Sequence, residues 1–500
     1  MAEYHVRAGA AGAGGTLPTL AAAGAVVKPG DRITVEAGVY RETLRPTAGT
    51  TWLGQPGAII DGGWKGKELS TAEDDAAGIL IKAAGVTVRG LEVRNVPGNG
   101  VAVGEGGHEF TLEDCEIHDC YHGGFKANPT GGTIRNITVR RCHVHDIALS
   151  GRFKETPVNG CFLFKSCDGV LVEDCLIERG HGEGMAAGSR SQNVTFRRCT
   201  VRDTKHLLMY VANRAQNVLV EDCILYQTGI PEFTQRDGDV GAGLVVGDEE
   251  SGAKDDNWQH SENVTIRRCV VWNAGGMFGL RNNAKPGKGG DDGYNTNIRN
   301  LKVTQCTFVT GPLSRNGIAV QENEYGDGKV AGAFEANVFL FDNMRDSGDG
   351  FKVTAPGVKF TGNAFSVMPP ALSSDNIHVS AASFVAPFAT PFDVENLRPR
   401  PGGMVALGKL GALAAAGDVE PPPPPDDEPV DWNALRVMVT TAATRLASSQ
   451  ANVTEAQRHT DGAAVLLGLA MVRLADAQQG QADAATEMAA LLKKMNEYAA

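Results

Sequence analysis

Three short phrases set paired acids beside an aromatic ring: DDNW from Asp255 to Trp258, DDGY from Asp291 to Tyr294, and ENEY from Glu322 to Tyr325. Asp255, Asp256, Asp291, Asp292, Glu322 and Glu324 are the residue type that sugar hydrolysis needs. One protonated carboxyl serves the leaving oxygen and one carboxylate acts as base or nucleophile. Trp258, Tyr294 and Tyr325 add flat apolar faces for a pyranose ring. The same carboxylates with Asn257 and Asn323 form oxygen sets suited to Ca2+, the one cofactor these phrases suggest. The plainer alternative is three solvated acidic loops whose rings cover the fold.

Histidines form a second group. His122, His181 with Glu183, and His206 with Tyr210 fall at related places after a recurring phrase, as candidates for substrate contact. His118 with Asp119 and His145 with Asp146 follow a Cys by three and four residues, a spacing suited to a general base with an orienting carboxylate. Polar surface histidines are the alternative. No C-x-x-C spacing occurs, so no Cys-based metal site is expected.

The elements that must carry these residues are repeats. RNITVRRCHV, DGVLVEDCLI, QNVTFRRCTV, QNVLVEDCIL, ENVTIRRCVV and RNLKVTQCTF place Asn or Gly six residues before Cys142, Cys175, Cys199, Cys223, Cys269 and Cys306. HEFTLEDCEI adds Cys115, and Leu91, Asn337 and Asn363 continue the frame. The shortest interval is 24 residues, as from Cys175 to Cys199, and longer intervals mark insertions into a fixed coil. Each phrase alternates with period two and then breaks parity at the Cys, which predicts two short strands meeting at a corner. Stacked coils make the Cys an interior column of reduced thiols. Cys120, Cys161 and Cys167 are expected to face the core as well. The residues before the Cys alternate in sign from coil to coil, from Glu113 and Asp114 to Arg140 and Arg141 and onward to Arg267 and Arg268. Acid therefore faces base at each corner. Asn136, Asn193, Asn217, Asn263 and Asn300 suit a left-handed turn.

This pattern, with KPGDRITVEAGVYRETL from Lys28 to Leu44 as a first coil and Leu17 to Ala23 as a capping helix, resembles the right-handed parallel β-helix superfamily. That superfamily includes pectate lyases, chondroitinase-type lyases and phage tailspikes. The resemblance implies an all-β, single-stranded right-handed parallel β-helix over residues 1–410, and it leaves activity open because this fold hosts lyases, hydrolases, isomerases and binders. Gly180, His181 and Gly182 spell the G-H-G of polygalacturonase-like hydrolases without the accompanying N-T-D and R-I-K. Lys165 and Arg190 resemble the base and acid of chondroitinase-type lyases without their R-H-G context.

Beyond the repeats, EPPPPPDDEP makes residues 411–430 a Pro-rich linker. Residues 431–500 carry heptads from Trp432 that predict an α-helical coiled coil or helical bundle for oligomerisation or docking. The formal charge of -12 argues against nucleic acid as a partner. No apolar run reaches the roughly 18 residues of a membrane span. MAEYHVRAGAAG lacks a basic start and apolar core, so no Sec signal is visible. These readings together point to a phage tail or tailspike-like virion protein, assembled in the host cytoplasm, that binds and can degrade host surface polysaccharide. Self-association or other tail proteins are its expected partners through residues 431–500. The alternatives are a free polysaccharide lyase or glycoside hydrolase, extracellular by a non-Sec route, and a non-enzymatic adhesive solenoid.

Overall fold

The computed structural model describes residues 1–9, 16–69, 76–153, 160–233, 240–248, 260–281, 297–320, 329–341, 350–367, 375–389, 391–400 and 410–412. The chain divides into two units, Met1–Glu420 and Pro421–Ala500. The second unit, and with it the expected helical tail, lies outside the described residues, as does the expected linker beyond residue 412.

The first unit winds through three sheets of 14, 13 and 10 strands, and every strand pair within them is parallel. From Thr51 to Val353 each coil contributes one strand to each sheet in turn. A representative coil runs Cys167–Glu173 in the first sheet, Leu176–Gly180 in the second and Met185–Gly188 in the third. The next coil repeats this in register, with Val170 opposite Val194, Ile177 opposite Val201 and Met185 opposite Met209. The short helix Leu20–Val26 stands near the start, capped by the Thr19 side chain accepting from the Ala22 N–H.

The parity break in the sequence has a backbone cause. The residue before each column Cys is left-handed, with φ of 52° at Asp114, 53° at Arg141, 56° at Asp174, 51° at Arg198, 55° at Asp222 and 51° at Arg268. One such residue turns the corner and returns an inward position after two outward ones. Asn136, Asn193, Asn217, Asn263 and Asn300 are left-handed too, and the last four join in a side-chain ladder, Asn217 donating to Asn193, Asn263 to Asn217 and Asn300 to Asn263. A glycine column shapes the turn into the third sheet. A Cβ on Gly100, Gly124 or Gly184 would lie 2.3, 2.3 and 2.4 Å from the inward Ile117, Val144 and Val201.

All ten Cys are buried and unpaired with one another by disulfides. Burial pushes the Cys161 and Cys167 thiols up to about 12, so both are protonated. Past Cys306 the column changes to asparagine: Asn337 donates to the Val303 carbonyl and Asn363 to that of Phe334, while Asn376 joins them. The charged corner pairs as the alternation requires. Arg141 meets Asp114 at 2.6 Å, Arg197 and Arg198 meet Glu173 at 2.7 and 2.8 Å, and Arg268 meets Asp222 at 2.7 Å.

The outward face of the second sheet is covered near its C-terminal end. There Trp272 donates to the Pro387 carbonyl, and Tyr226 and Trp272 pack their rings on Phe392.

Two outcomes follow. Glu173→Lys sets a cation among Arg140, Arg197 and Arg198 and should lower unfolding free energy in chemical denaturation by about 3 kcal/mol. The exposed Glu3→Lys should stay within about 0.5 kcal/mol. A thiol reagent should find the ten Cys unreactive in the native protein and all of them reactive once it is denatured.

Candidate functional site

Of the acidic phrases, Asp255, Asp256, Trp258, Asp291, Asp292, Tyr294, Glu322, Glu324 and Tyr325 all lie outside the described residues, as do Asn257 and Asn323. Their anchors are described. The three segments each connect a third-sheet strand, Ala242–Gly247, Gly276–Arg281 or Asn316–Val320, to the next first-sheet strand. At the root of the first two, the buried Asp248 accepts from the Asn297 backbone and lies 3.3 Å from His260.

The three histidines proposed as one column occupy two. Register sets His122 and His206 at the position of Gly182, because Phe125, Met185 and Met209 align across the third sheet. His181 stands one residue earlier, level with Lys205, since Gly180 pairs with Thr204. All of them lie at the turn between the second and third sheets. His122 and His181 are buried, and His206 is partly so.

Around His181 the turn gathers a charged cluster between rings. Insertions supply Arg152, from the 3-10 turn Leu149–Arg152, and Glu232, from the turn Pro231–Phe233. Arg152 Nε donates to Glu232 Oε1 at 2.7 Å and lies 3.2 Å from His181 Nε2. His181 Nε2 is 3.3 Å from the same carboxylate oxygen. Lys205 Nζ reaches the Gly151 carbonyl at 3.5 Å. Phe233 packs on His181 at 5.2 Å between ring centroids, and Trp64, Tyr121 and the exposed Phe153 extend the aromatic wall. Burial draws the His181 pKa down, aided by Arg152 and Lys205 against the pull of Glu232, so the imidazole is neutral at pH 7. Hydrogen bonding with His181 and the Arg152 charge hold Glu232 at about 2 against partial burial, a carboxylate and not a proton donor. The cluster therefore presents a neutral imidazole, an ionised carboxylate and two cations.

The outward face of the second sheet carries a second constellation. His118 and His145 stack at 4.9 Å with planes 3° apart, and each has its own acid: His118 Nδ1 is 2.7 Å from Asp119, and His145 Nδ1 is 2.8 Å from Asp146. Burial lowers the His118 pKa, but hydrogen bonds to Asp119 and Glu92 outweigh it and raise the imidazole to about 9. Glu178, with no side-chain exposure, takes Arg179, Arg202 and His143.

Sequence reasoning missed Arg152, Glu232 and His143. The first two sit in insertions, where no repeat marks them. His143 had a readable signal, since H-V-H on a strand puts both imidazoles on one face. Lys165 and Arg190 lie toward the opposite edge of the third sheet, past the turn that holds His181.

The three parallel sheets, wound one strand per coil, define the class: a parallel β-helix. Residues 77–258 match the family model described as "Right handed beta helix region", and the parallel coils on both sides continue the same winding. No curated protein matches the chain in sequence. Among solved structures it is similar to a rhamnogalacturonan lyase, with 13% identity, 82% of this chain and 100% of that chain covered, and a TM-score of 0.48. It is similar to pectate lyase Pel9A, with 15% identity, coverage of 81% and 90%, and a TM-score of 0.46. A third is tailspike protein gp49 of Acinetobacter baumannii bacteriophage Fri1, a capsular polysaccharide depolymerase, with 11% identity, coverage of 68% and 58%, and a TM-score of 0.34. No residue role is carried over from them.

If His181 acts as a base, its working form is the neutral one, present above its pKa. Any turnover should then be level at pH 7 and fall through a midpoint below the ordinary imidazole value of about 6.5. Arg152→Gln should move that midpoint up, because it removes a neighbouring cation; the pH profile of turnover decides.

Proposed function

We propose that the protein binds an anionic polysaccharide across the turn between the second and third sheets and cleaves it there by β-elimination. The observation that carries this reading is the His181 cluster itself: a neutral buried imidazole beside Arg152 and Lys205, walled by Tyr121, Phe153 and Phe233. The cations suit a uronate carboxylate and stabilise the charge that builds up when the adjacent carbon loses its proton. The imidazole suits the removal of that proton; the glycosidic C–O bond then breaks as the double bond forms, the leaving oxygen takes a proton from water, and the rings suit sugar faces. Hydrolysis asks for a protonated acid paired with a second carboxylate. Glu232 is ionised, so among the described residues the His181 cluster favours elimination over hydrolysis.

The finer reading is a tail or tailspike-like virion protein, in which residues 431–500 assemble copies of the chain or dock it to other tail proteins. It is supported by the heptads and the Pro spacer. A native mass of the full chain at a multiple of 52.7 kDa is expected, and a monomer that turns over substrate would sink the virion reading.

Incubation with acidic and neutral polysaccharides separates the chemistries. Ultraviolet absorbance of an unsaturated uronate, lost in His181→Gln, is the expected result. New reducing ends without that absorbance, lost in Asp291→Asn or Glu322→Gln but kept in His181→Gln, would replace elimination with hydrolysis at the acidic phrases. Binding without either product would leave an adhesive solenoid.

A further inference from the structure

Glu116, His143 and His145 meet on the outward face of the second sheet, away from the His181 cluster. His143 and His145 are two apart on the strand His143–Ile147 and share a face. Glu116 is the in-register partner of His143 on the preceding coil. One donor atom from each of the three lies within 4.8 Å of the others.

The hydrogen bonds around them show what each ring nitrogen faces. His143 Nε2 lies 3.0 Å from Glu178 Oε1, and that carboxylate also takes Arg179 and Arg202. A carboxylate so paired can only accept, so Nε2 carries the proton and Nδ1 keeps its lone pair. His143 Nδ1 is enclosed and has no hydrogen-bond partner. His145 repeats the arrangement with its ring reversed. Its Nδ1 lies 2.8 Å from Asp146 and 3.0 Å from Arg179 Nη2, and its Nε2 points at Glu116 Oε1, 3.3 Å away. The lone pair of His143 Nδ1, the Nε2 of His145 and a carboxylate oxygen thus converge, an ion displacing the proton that Nε2 shares with Glu116, and each imidazole has an acid at its other nitrogen.

We propose that Glu116, His143 and His145 form a binding site for a divalent transition-metal ion of the zinc class. Nitrogen and oxygen donors in a two-His, one-carboxylate set are what that class takes, and a carboxylate behind each ligating imidazole orients the ring and raises its basicity. Bonds of about 2 Å in a tetrahedral shell set donors about 3.3 Å apart, which the His145–Glu116 pair already meets. The remaining ligand, His143, starts within 4.8 Å of the other two. Three protein donors leave one position to water. Glu116, with 34% of its side chain exposed, gives the ion its way in, while the imidazoles are only 11% and 10% exposed. The ion would tie adjacent coils together at a place where the register already aligns them.

The test uses the full chain, stripped with a chelator and titrated with Zn2+ by calorimetry and with Co2+ by visible absorption. One equivalent should bind, Co2+ should give the intense visible bands of a low-coordinate site, and thermal stability should rise with added Zn2+. Glu116→Gln and His143→Phe should each weaken binding at least about tenfold. His5→Gln, at an exposed histidine far along the chain, should bind as the parent does. Glu116→Gln is nearly isosteric and part-exposed, so it carries the test if His143→Phe does not fold. No uptake at micromolar Zn2+, or uptake that Glu116→Gln leaves unchanged, would overturn the site. The readout is metal uptake, so it stands or fails independently of polysaccharide cleavage.

Discussion

A strand alternates its side chains with period two, yet each coil must present buried groups on both arms of a bend. The molecule meets this with one left-handed residue at the same place in every coil, the residue before the column position, from Asp114 to Ala336. That residue swings the chain through the corner and resets which parity faces inward. Any residue other than glycine resists this conformation mildly, and the corner accepts Asp, Arg, Gln and Ala there because the hydrogen bonds of two flanking coils hold it. Once the corner is fixed, each position on one coil has a defined neighbour on the next, and the charge pairs, thiol column and asparagine ladders all inherit that registration.

What varies is the chemistry placed at fixed addresses. The interior column is sulfur through Cys306 and amide from Asn337 to Asn376, where each side chain donates to a carbonyl of an earlier coil and accepts from the backbone N–H of the preceding column residue. The outward face of the second sheet changes in the same way. It is charged from Glu92 to Arg202 and aromatic from Tyr226 to Trp272, where the segment around Pro387 and Phe392 covers it. The charged stretch is densely paired, so its histidines are held in set orientations rather than left as loose surface groups.

The corner and the core were legible in the sequence because both repeat. Asn136 and its equivalents, the Cys, and the alternating acid and base pairs recur at constant offsets, and side chains that recur must stack. The His–Asp pairs at His118 and His145 were readable on the same ground. The His181 cluster was only half legible. His181 itself follows the phrase, but Arg152 and Glu232 arrive from insertions of unequal length, and a pattern of offsets cannot say that two insertions from different coils meet. The one-residue difference between His181 and His122 was legible, since His122 follows Cys115 by seven residues and His181 follows Cys175 by six. The segment over Trp272 was invisible for a further reason: it has no repeat, and its contacts span more than a hundred residues of chain.

The alternation of sign at the corner limits how such a chain can change in length. From Glu113 through Asp222 every corner meets a neighbour of opposite charge above and below, with Arg89 and the pair Arg267 and Arg268 closing the two ends. Deleting or duplicating one coil would bring two acidic or two basic corners together at a strand spacing of about 4.8 Å. Loss or gain of two coils would preserve every pair. The heritable unit of growth in this region is therefore the coil doublet of about fifty residues, and single-coil variants should be rare among descendants even though the backbone winding would accept them equally well.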